Sequence, residues 1–275
     1  ATPTTFGKEL AVFAHRLGRV VQPLRSLHLP AKMNGATGTF SAHHIAWPDT
    51  DWVSVSKGFI ERLGLEWNPL TTQIESHDGL VALFHKMSHV GTIAHNLCTD
   101  IWTYISLGYL RQIPVKGATG SSTMPHKVNP IRFENAEANL EIAGGLLQTL
   151  ASTLGTSRLQ RDLTDSSTQR NIGVAMGHQM VAWANIARGL GQVDIAPDVM
   201  AADLESTYEV LAEAIQTVIR AEIAAGTSSI SDPYDVVKQL TRGASVTAQS
   251  LKDFVSGLDI SDTAKARLLE LTPAT

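Results

Sequence analysis

Apolar residues in this 275-residue chain recur at alternating three- and four-residue steps over long spans. Across residues 79–107 the rhythm passes through Leu80, Leu83, Met87, Val90, Ala94, Leu97, Ile101 and Tyr104. Across residues 132–154 it passes through Phe133, Ala136, Leu140, Ala143, Leu147, Leu150 and Leu154. A 3-4 alternation keeps one stripe of a helix against a neighbour at a shallow crossing angle, as in bundles. At about 1.5 Å per residue, each such helix runs roughly 30 to 45 Å. The same periodicity predicts helices over residues 4–27, 52–65 and 166–190, whereas period-two stretches are scarce. The fold class expected is all-α: a bundle of long antiparallel helices followed by a smaller C-terminal helical domain.

The interruptions are as informative as the helices. "AKMNGATGTFSAHH", residues 31–44, carries Gly35 and Gly38 and reads as too irregular for a helix. Residues 111–130 lack helical periodicity, and a loop of about twenty residues inside a compact domain is more often functional than not. Its second half is "GSSTMPHKVNP", residues 120–130. Asn129 and Pro130 there read as N-cap and first helical position of the next helix. "GLGQVDIAPDVM", residues 189–200, breaks the pattern again, with Pro197 opening a new helix. This places a domain boundary between residues 190 and 191, giving spans of 1–190 and 191–275. Beyond it the chain reads as shorter helices, one starting at Asp232 and Pro233.

Composition narrows the function classes. The hydrophobic fraction is 43%, and no run of about eighteen apolar residues marks a membrane span. Twenty-two basic against twenty-six acidic side chains give a formal charge of −4, which lacks the basic footprint of a nucleic-acid binder. Cys98 is the sole cysteine, so no internal disulfide forms, and "ATPTTFGKEL" has neither the apolar nor the basic region of a signal peptide. A soluble, cytoplasmic protein is expected.

Three clusters are candidates for chemistry. His85 and His89 share a helical face, but Lys86 stands where a zinc-protease pattern needs glutamate, so no metal site is assigned. "SRLQRDLTDSSTQRN", residues 157–171, sets Arg158, Arg161 and Arg170 around hydroxyls at an expected helix start. Ser166 and Arg170 there are four apart. Such a cluster suits a phosphate or carboxylate, or else is a cap formed by Asp165 or Ser166 with surface ion pairs. The proline-flanked loop aims Lys127, Asn129 and backbone amides toward one point, an arrangement that stabilises an oxyanion. It fits neither the phosphate-loop spacing nor the S-x-x-K pattern of serine–lysine hydrolases.

"GSSTMPHKVNP" resembles the signature of the fumarase/aspartase superfamily, whose members release fumarate by breaking a C–N or C–O bond. Within it, "KMNGATG" (32–38), "TTQIESHD" (71–78), "NPIRFENAEANL" (129–140) and "RLQRDLTDSSTQRN" (158–171) are similar to the bacterial adenylosuccinate lyase family. "EVLAEAIQTVIR" and "LTRGASV" carry the likeness into the C-terminal region. The resemblance implies a fumarate elimination from adenylosuccinate and from succinyl-aminoimidazole-carboxamide ribotide. It implies Ser121 as the base, with Lys127 and Asn129 supporting the carbanion's negative charge. Substrate contacts are implied at Thr72, Gln73, Ser122, Met124, Asn135, Arg161, Ser166 and Arg170. No cofactor and no metal are implied. The partners implied are a small-molecule nucleotide substrate and further copies of the chain, in a homotetramer with composite active sites; nucleic acid and membrane are not among them. "ATP" at residues 1–3 matches the end of a family motif whose acid histidine would fall before Ala1, so the chain reads as the C-terminal two-thirds of such an enzyme. A non-catalytic oligomerising form, and a sister lyase acting on argininosuccinate, aspartate or malate, are the alternatives.

Overall fold

The computed structural model describes residues 2–113, 128–241 and 246–274. Its described residues are predominantly α-helical, with strands of only two or three residues. They divide into two compact units: Leu10–Leu107 with Gln112–Asp194, and Ala1–Glu9 with Gly108–Arg111 and Ile195–Thr275.

In the first of these units, helix α1 (Phe6–Val21, begun in the other unit) ends earlier than its periodicity predicts. Pro23 supplies no N–H for an α-helical bond, and the chain tightens into a 3-10 turn over Gln22–Ser26. Strand β1 (Pro30–Ala31) follows. The next segment corrects an expectation, because residues 41–44 are helical, within α2 (Ser41–Ala46). The glycine-containing loop ends at Phe40, whose N–H donates to the Asn34 carbonyl at 2.9 Å while its own carbonyl accepts His44 N–H at 2.9 Å. Helix α3 (Trp52–Arg62) is capped by Asp51, whose carboxylate accepts the Ser54 N–H at 3.1 Å. Gly64, at φ +75°, turns the chain into β2 (Glu66–Trp67), which pairs parallel with β1.

Three long helices form the body of this unit: α4 (Asp78–Ser106), α5 (Ile131–Leu154) and, after the short α6 (Thr164–Gln169), α7 (Ile172–Leu190). At one end Phe84 of α4, Leu147, Leu150 and Leu154 of α5, and Ala175 of α7 bury one another. At the other, the Trp102 indole donates to Glu134 at 3.2 Å and Arg132 donates to Asn185 at 3.1 Å. The start of α5 thus lies beside the ends of α4 and α7, so α5 runs antiparallel to both. Phe84 and Phe133 are fully buried, each worth about 1.5–3 kcal/mol of transfer free energy.

Two helix starts differ from expectation. Pro130, not Asn129, is the N-cap of α5, its carbonyl accepting from Phe133 and Glu134, and no side chain caps the turn. Proline carries no side-chain acceptor, so the first turn is closed through the Pro130 carbonyl. The single helix expected over residues 166–190 is broken at Arg170–Asn171. Asn171 N–H closes a tight bond to Thr168 at 3.0 Å, and the Asn171 carbonyl restarts the ladder by accepting from Ala175. Neither Asp165 nor Ser166 is the N-cap of α6; that position is Leu163. Asp162 does the capping work instead, accepting the N–H and hydroxyl of Thr164 at 3.0 and 2.7 Å.

The other unit continues with α8 (Pro197–Glu205), α9 (Ala212–Ala224), α10 (Pro233–Thr241), α11 (Ala248–Ser256) and α12 (Asp262–Leu269). Pro197 opens α8, and Asp232 accepts the N–H groups of Tyr234 and Asp235 at the start of α10, as the sequence predicts. Ile215, Ile219, Val255 and Leu268 form its core. Among the described residues no helix is long and apolar enough to cross a membrane.

Candidate functional site

The candidate residues that are described fall into two groups on the three-helix unit. Thr72, Gln73, Arg161, Ser166 and Arg170 gather where α4 begins and α5 ends. Asn129 and Asn135 lie at the opposite end, where α5 begins. Nineteen residues of α5 separate Asn135 from Leu154, about 28 Å of helix. Ser121, Ser122, Met124 and Lys127 lie outside the described residues.

The first group is assembled from segments far apart in sequence. The Lys32 ammonium donates to the carbonyls of Gly35, Thr72 and Gln73 at 2.8, 3.0 and 2.8 Å. Asn34 Nδ2 donates to the Thr71 hydroxyl at 2.9 Å. Gly38 sits at φ +75°, and a Cβ there would come within 2.1 Å of the Thr71 carbonyl oxygen, so the two backbones meet only because residue 38 has no side chain. Gln73 N–H donates to the Gln160 carbonyl at 3.2 Å, one residue before Arg161. A second tie joins His77 Nε2 to Gln169 Nε2 at 2.8 Å, one residue before Arg170. Thr72 and Gly38 line a shallow cleft of about 300 Å³ with Leu70, Thr71, Ile74 and Ser76.

This end is open and carries both signs of charge, Glu75, Asp78, Asp162 and Asp165 beside Lys32 and three arginines. Arg161 and Arg170 are exposed, and among the described residues neither makes an ion pair. Arg158 lies 3.6 Å from Asp162, whose carboxyl is held below the usual range chiefly by the Thr164 N–H and hydroxyl, with Arg158 a lesser cause. Burial pulls the Lys32 ammonium below its ordinary value. The expected contribution of a helix N-terminus is weak here, since α6 has six residues and sums few peptide dipoles. An anion at this end would meet guanidinium and hydroxyl groups rather than a strong helix dipole.

At the other end the side-chain oxygen of Asn135 accepts from Asn185 Nδ2 at 2.8 Å and Asn139 Nδ2 at 3.2 Å. With its oxygen occupied, Asn135 presents an amide NH₂ that has no partner among the described residues, a donor suited to a carboxylate or carbonyl. His178 Nδ1, 2.7 Å from Asn139, extends this network. Asn129 is exposed. His85 and His89 are both exposed, and no group of three His, Cys, Asp or Glu side chains among the described residues is placed to hold a metal.

Sequence reasoning picked Thr72 and Gln73 but passed over Lys32, which grips their carbonyls, and His77 and Gln169, which tie the neighbouring segments. Local spacing carries no signal for contacts that span 40 or 92 positions.

A family model described as "Lyase" matches residues 1–143, and one described as "Adenylosuccinate lyase C-terminal" matches residues 157–275. The chain is 44% identical over 274 residues to an adenylosuccinate lyase of Escherichia coli (strain K12), covering all of this chain and 59% of that protein. It is 46% identical over 277 residues to an adenylosuccinate lyase of Legionella pneumophila (strain Corby), again covering 100% of this chain and 59% of that protein. Among solved structures, the 3-carboxy-cis,cis-muconate lactonizing enzyme of Pseudomonas putida superposes with a TM-score of 0.71 at 23% identity, over 100% of this chain and 61% of that one. A fumarate lyase of Mesorhizobium sp. BNC1 superposes with a TM-score of 0.69 at 19% identity, over 98% of this chain and 60% of that one. These structural likenesses show the all-α fold alone. The chain spans 59% of the length of the curated relatives it matches. Matched over residues 1–143, more than half of its length, by the lyase model, and over residues 157–275 by the adenylosuccinate lyase C-terminal model, this chain belongs to the lyase family.

Proposed function

We propose that the protein carrying this chain eliminates fumarate from adenylosuccinate to give AMP, and likewise cleaves succinyl-aminoimidazole-carboxamide ribotide. The observation that carries this is the pair of exposed arginines, Arg161 and Arg170, which make no ion pair among the described residues and are held with Ser166 beside Gln73. Two guanidinium forks and a hydroxyl supply the charge-assisted donors that a nucleotide phosphate or a succinyl carboxylate needs. That chemistry favours a phosphorylated substrate over aspartate, malate or argininosuccinate.

In this mechanism the Ser121 oxygen takes the β-proton of the succinyl group. The electron pair left on carbon delocalises into the adjacent carboxylate, where Lys127 and Asn129 stabilise the added negative charge. The pair then forms the carbon–carbon double bond of fumarate as the C–N bond breaks, and a general acid protonates the departing nitrogen. Thr72, Gln73, Ser122, Met124 and Asn135 contact substrate. No cofactor takes part.

On one chain the two groups stand at opposite ends of α5, whose Asn135 and Leu154 are about 28 Å apart along the helix, further than one nucleotide substrate spans. This supports an active site built from several copies, in a homotetramer, with the end of one bundle meeting the opposite end of another. All the assigned residues fall within 1–190, the span taken as the bundle domain, with 191–275 as a separate helical domain. The reaction is placed in the cytoplasm. In the protein at its natural full length, Ser121→Ala is expected to abolish fumarate release, by about a thousandfold or more, with the fold intact. Turnover near the unsubstituted rate would show the assigned base to be wrong.

A further inference from the structure

We infer that Lys32 is a positioning residue for this site, fixing the direction in which Gln73 leaves the backbone and tying it to Arg161. The inference rests on the assignment of Gln73 to substrate made above. An ammonium has three N–H donors, and all three of Lys32's are used on main-chain carbonyls, those of Gly35, Thr72 and Gln73 at 2.8, 3.0 and 2.8 Å. No donor remains for a ligand, so Lys32 acts through the chain it holds.

What it holds is specific. The Thr72 carbonyl and the Gln73 N–H belong to one peptide unit; Lys32 grips its oxygen and the Gln160 carbonyl accepts its N–H at 3.2 Å. The Gln73 carbonyl belongs to the next unit, and Lys32 grips that as well. With the planes on both sides of its Cα fixed, Gln73 has its Cα–Cβ direction set before any substrate arrives. Gln160 then passes the constraint to Arg161, its neighbour in the chain. The loop that supplies Lys32 is itself braced by Asn34 on the Thr71 hydroxyl and by the close approach of Gly38. Partial burial of the ammonium, which lowers its pKa, is consistent with a charge kept for carbonyl dipoles rather than for water.

The test compares Lys32→Met, Lys32→Arg and Gln73→Ala in the full-length protein, with kcat and KM for adenylosuccinate measured at a temperature where each variant is folded. Lys32→Met keeps the length and removes the donors, and is expected to raise KM at least tenfold with kcat reduced less than threefold. Lys32→Arg keeps the charge but replaces three convergent donors with a planar fork, and is expected to raise KM by about three- to fivefold. A merely structural lysine would lower the unfolding midpoint of Lys32→Met and leave KM where it was, and that result overturns the inference. If Lys32→Met does not fold, Lys32→Arg decides: a KM rise of threefold or more supports the role and an unchanged KM overturns it. Should Gln73→Ala raise KM while the folded lysine variants do not, the substrate assignment stands and the role of Lys32 is lost. Should Gln73→Ala leave KM unchanged, Gln73 is not in the site and both fall.

Discussion

His77 Nε2 and Gln169 Nε2 lie 2.8 Å apart although 92 positions separate the two residues. This bond staples the residue before α4 to the last turn of α6, and with it the segment of Gln73 to that of Ser166 and Arg170. Gln169→Leu leaves a partly buried imidazole nitrogen unpaired and is expected to cost about 1–3 kcal/mol of stability. His77→Leu in the same background should cost less than the sum of the two single changes. Urea unfolding of the four members of this cycle checks it, and strict additivity would show that the pair does not interact.

Gly38→Ala is expected to be more damaging than its size suggests. The residue holds φ +75°, and the new Cβ would lie 2.1 Å from the Thr71 carbonyl oxygen, a backbone atom that cannot swing aside. A loss of about 2–4 kcal/mol follows from the strain and the displaced loop together. Gly64→Ala, at the same φ but with open space around it, makes the control and should cost only about 1 kcal/mol. Thermal unfolding of both distinguishes steric contact from backbone strain.

Cys98 is expected to be inert to thiol reagents in the folded protein. It is fully buried, and desolvation, with a smaller contribution from Glu137, pushes its thiol up to about 12. Reaction with a disulfide reagent at neutral pH should appear only as the chain unfolds, with a rate that follows the denaturant. Rapid labelling in buffer alone would contradict the burial.

The C-terminal helical unit carries an acid-sensitive tie. Glu222 accepts the Ser261 N–H at 2.9 Å and the Thr227 hydroxyl at 2.8 Å, and the Ser261 bond is the leading cause holding its carboxyl below the ordinary value. Because the folded-state value is lowered, the unfolded chain binds the proton more readily. The stability contributed is therefore present above the unfolded value, about pH 4.3, and is lost as pH falls through the folded one. Glu222→Gln should flatten the dependence of the urea midpoint on pH below about 5. A dependence as steep as in the unsubstituted chain would place the acid sensitivity elsewhere.

How far the sequence could foresee this arrangement varies with the range of the interactions. On α5 all seven residues of the predicted stripe, from Phe133 to Leu154, are buried, because that helix packs against both α4 and α7. On α4 the stripe captures Val90, Ala94, Leu97 and Ile101 but misses Phe84, Ile93 and Cys98, which are also buried. Phe84, Ile93 and Cys98 fall off the alternating three- and four-residue steps that start at Leu80, so that single period cannot report them. The break between α6 and α7 turns on one bond, from Asn171 N–H to the Thr168 carbonyl, and no proline or glycine at those two positions announces it. At the candidate site the sequence singles out residue types with evident chemistry, Arg161, Arg170 and Gln73, and the fold brings their segments to one end of the bundle. Their supports were not, since Lys32 looks like any surface lysine until the carbonyls it serves are seen together.

The central claim is that the two ends of the bundle serve one active site through different chains, and hybrid enzymes test it most directly. Asn129→Ala disables one end and Arg161→Ala the other, so each full-length variant alone is expected to have lost most of its activity. Unfolded together in equal amounts and refolded, they form mixed assemblies in which some sites draw an intact Asn129 from one chain and an intact Arg161 from another. The account predicts that fumarate release from adenylosuccinate reappears in the mixture, approaching about a quarter of the unsubstituted rate if two chains supply each site and combine at random. A mixture no more active than its two components, although hybrid assemblies have formed, would contradict it.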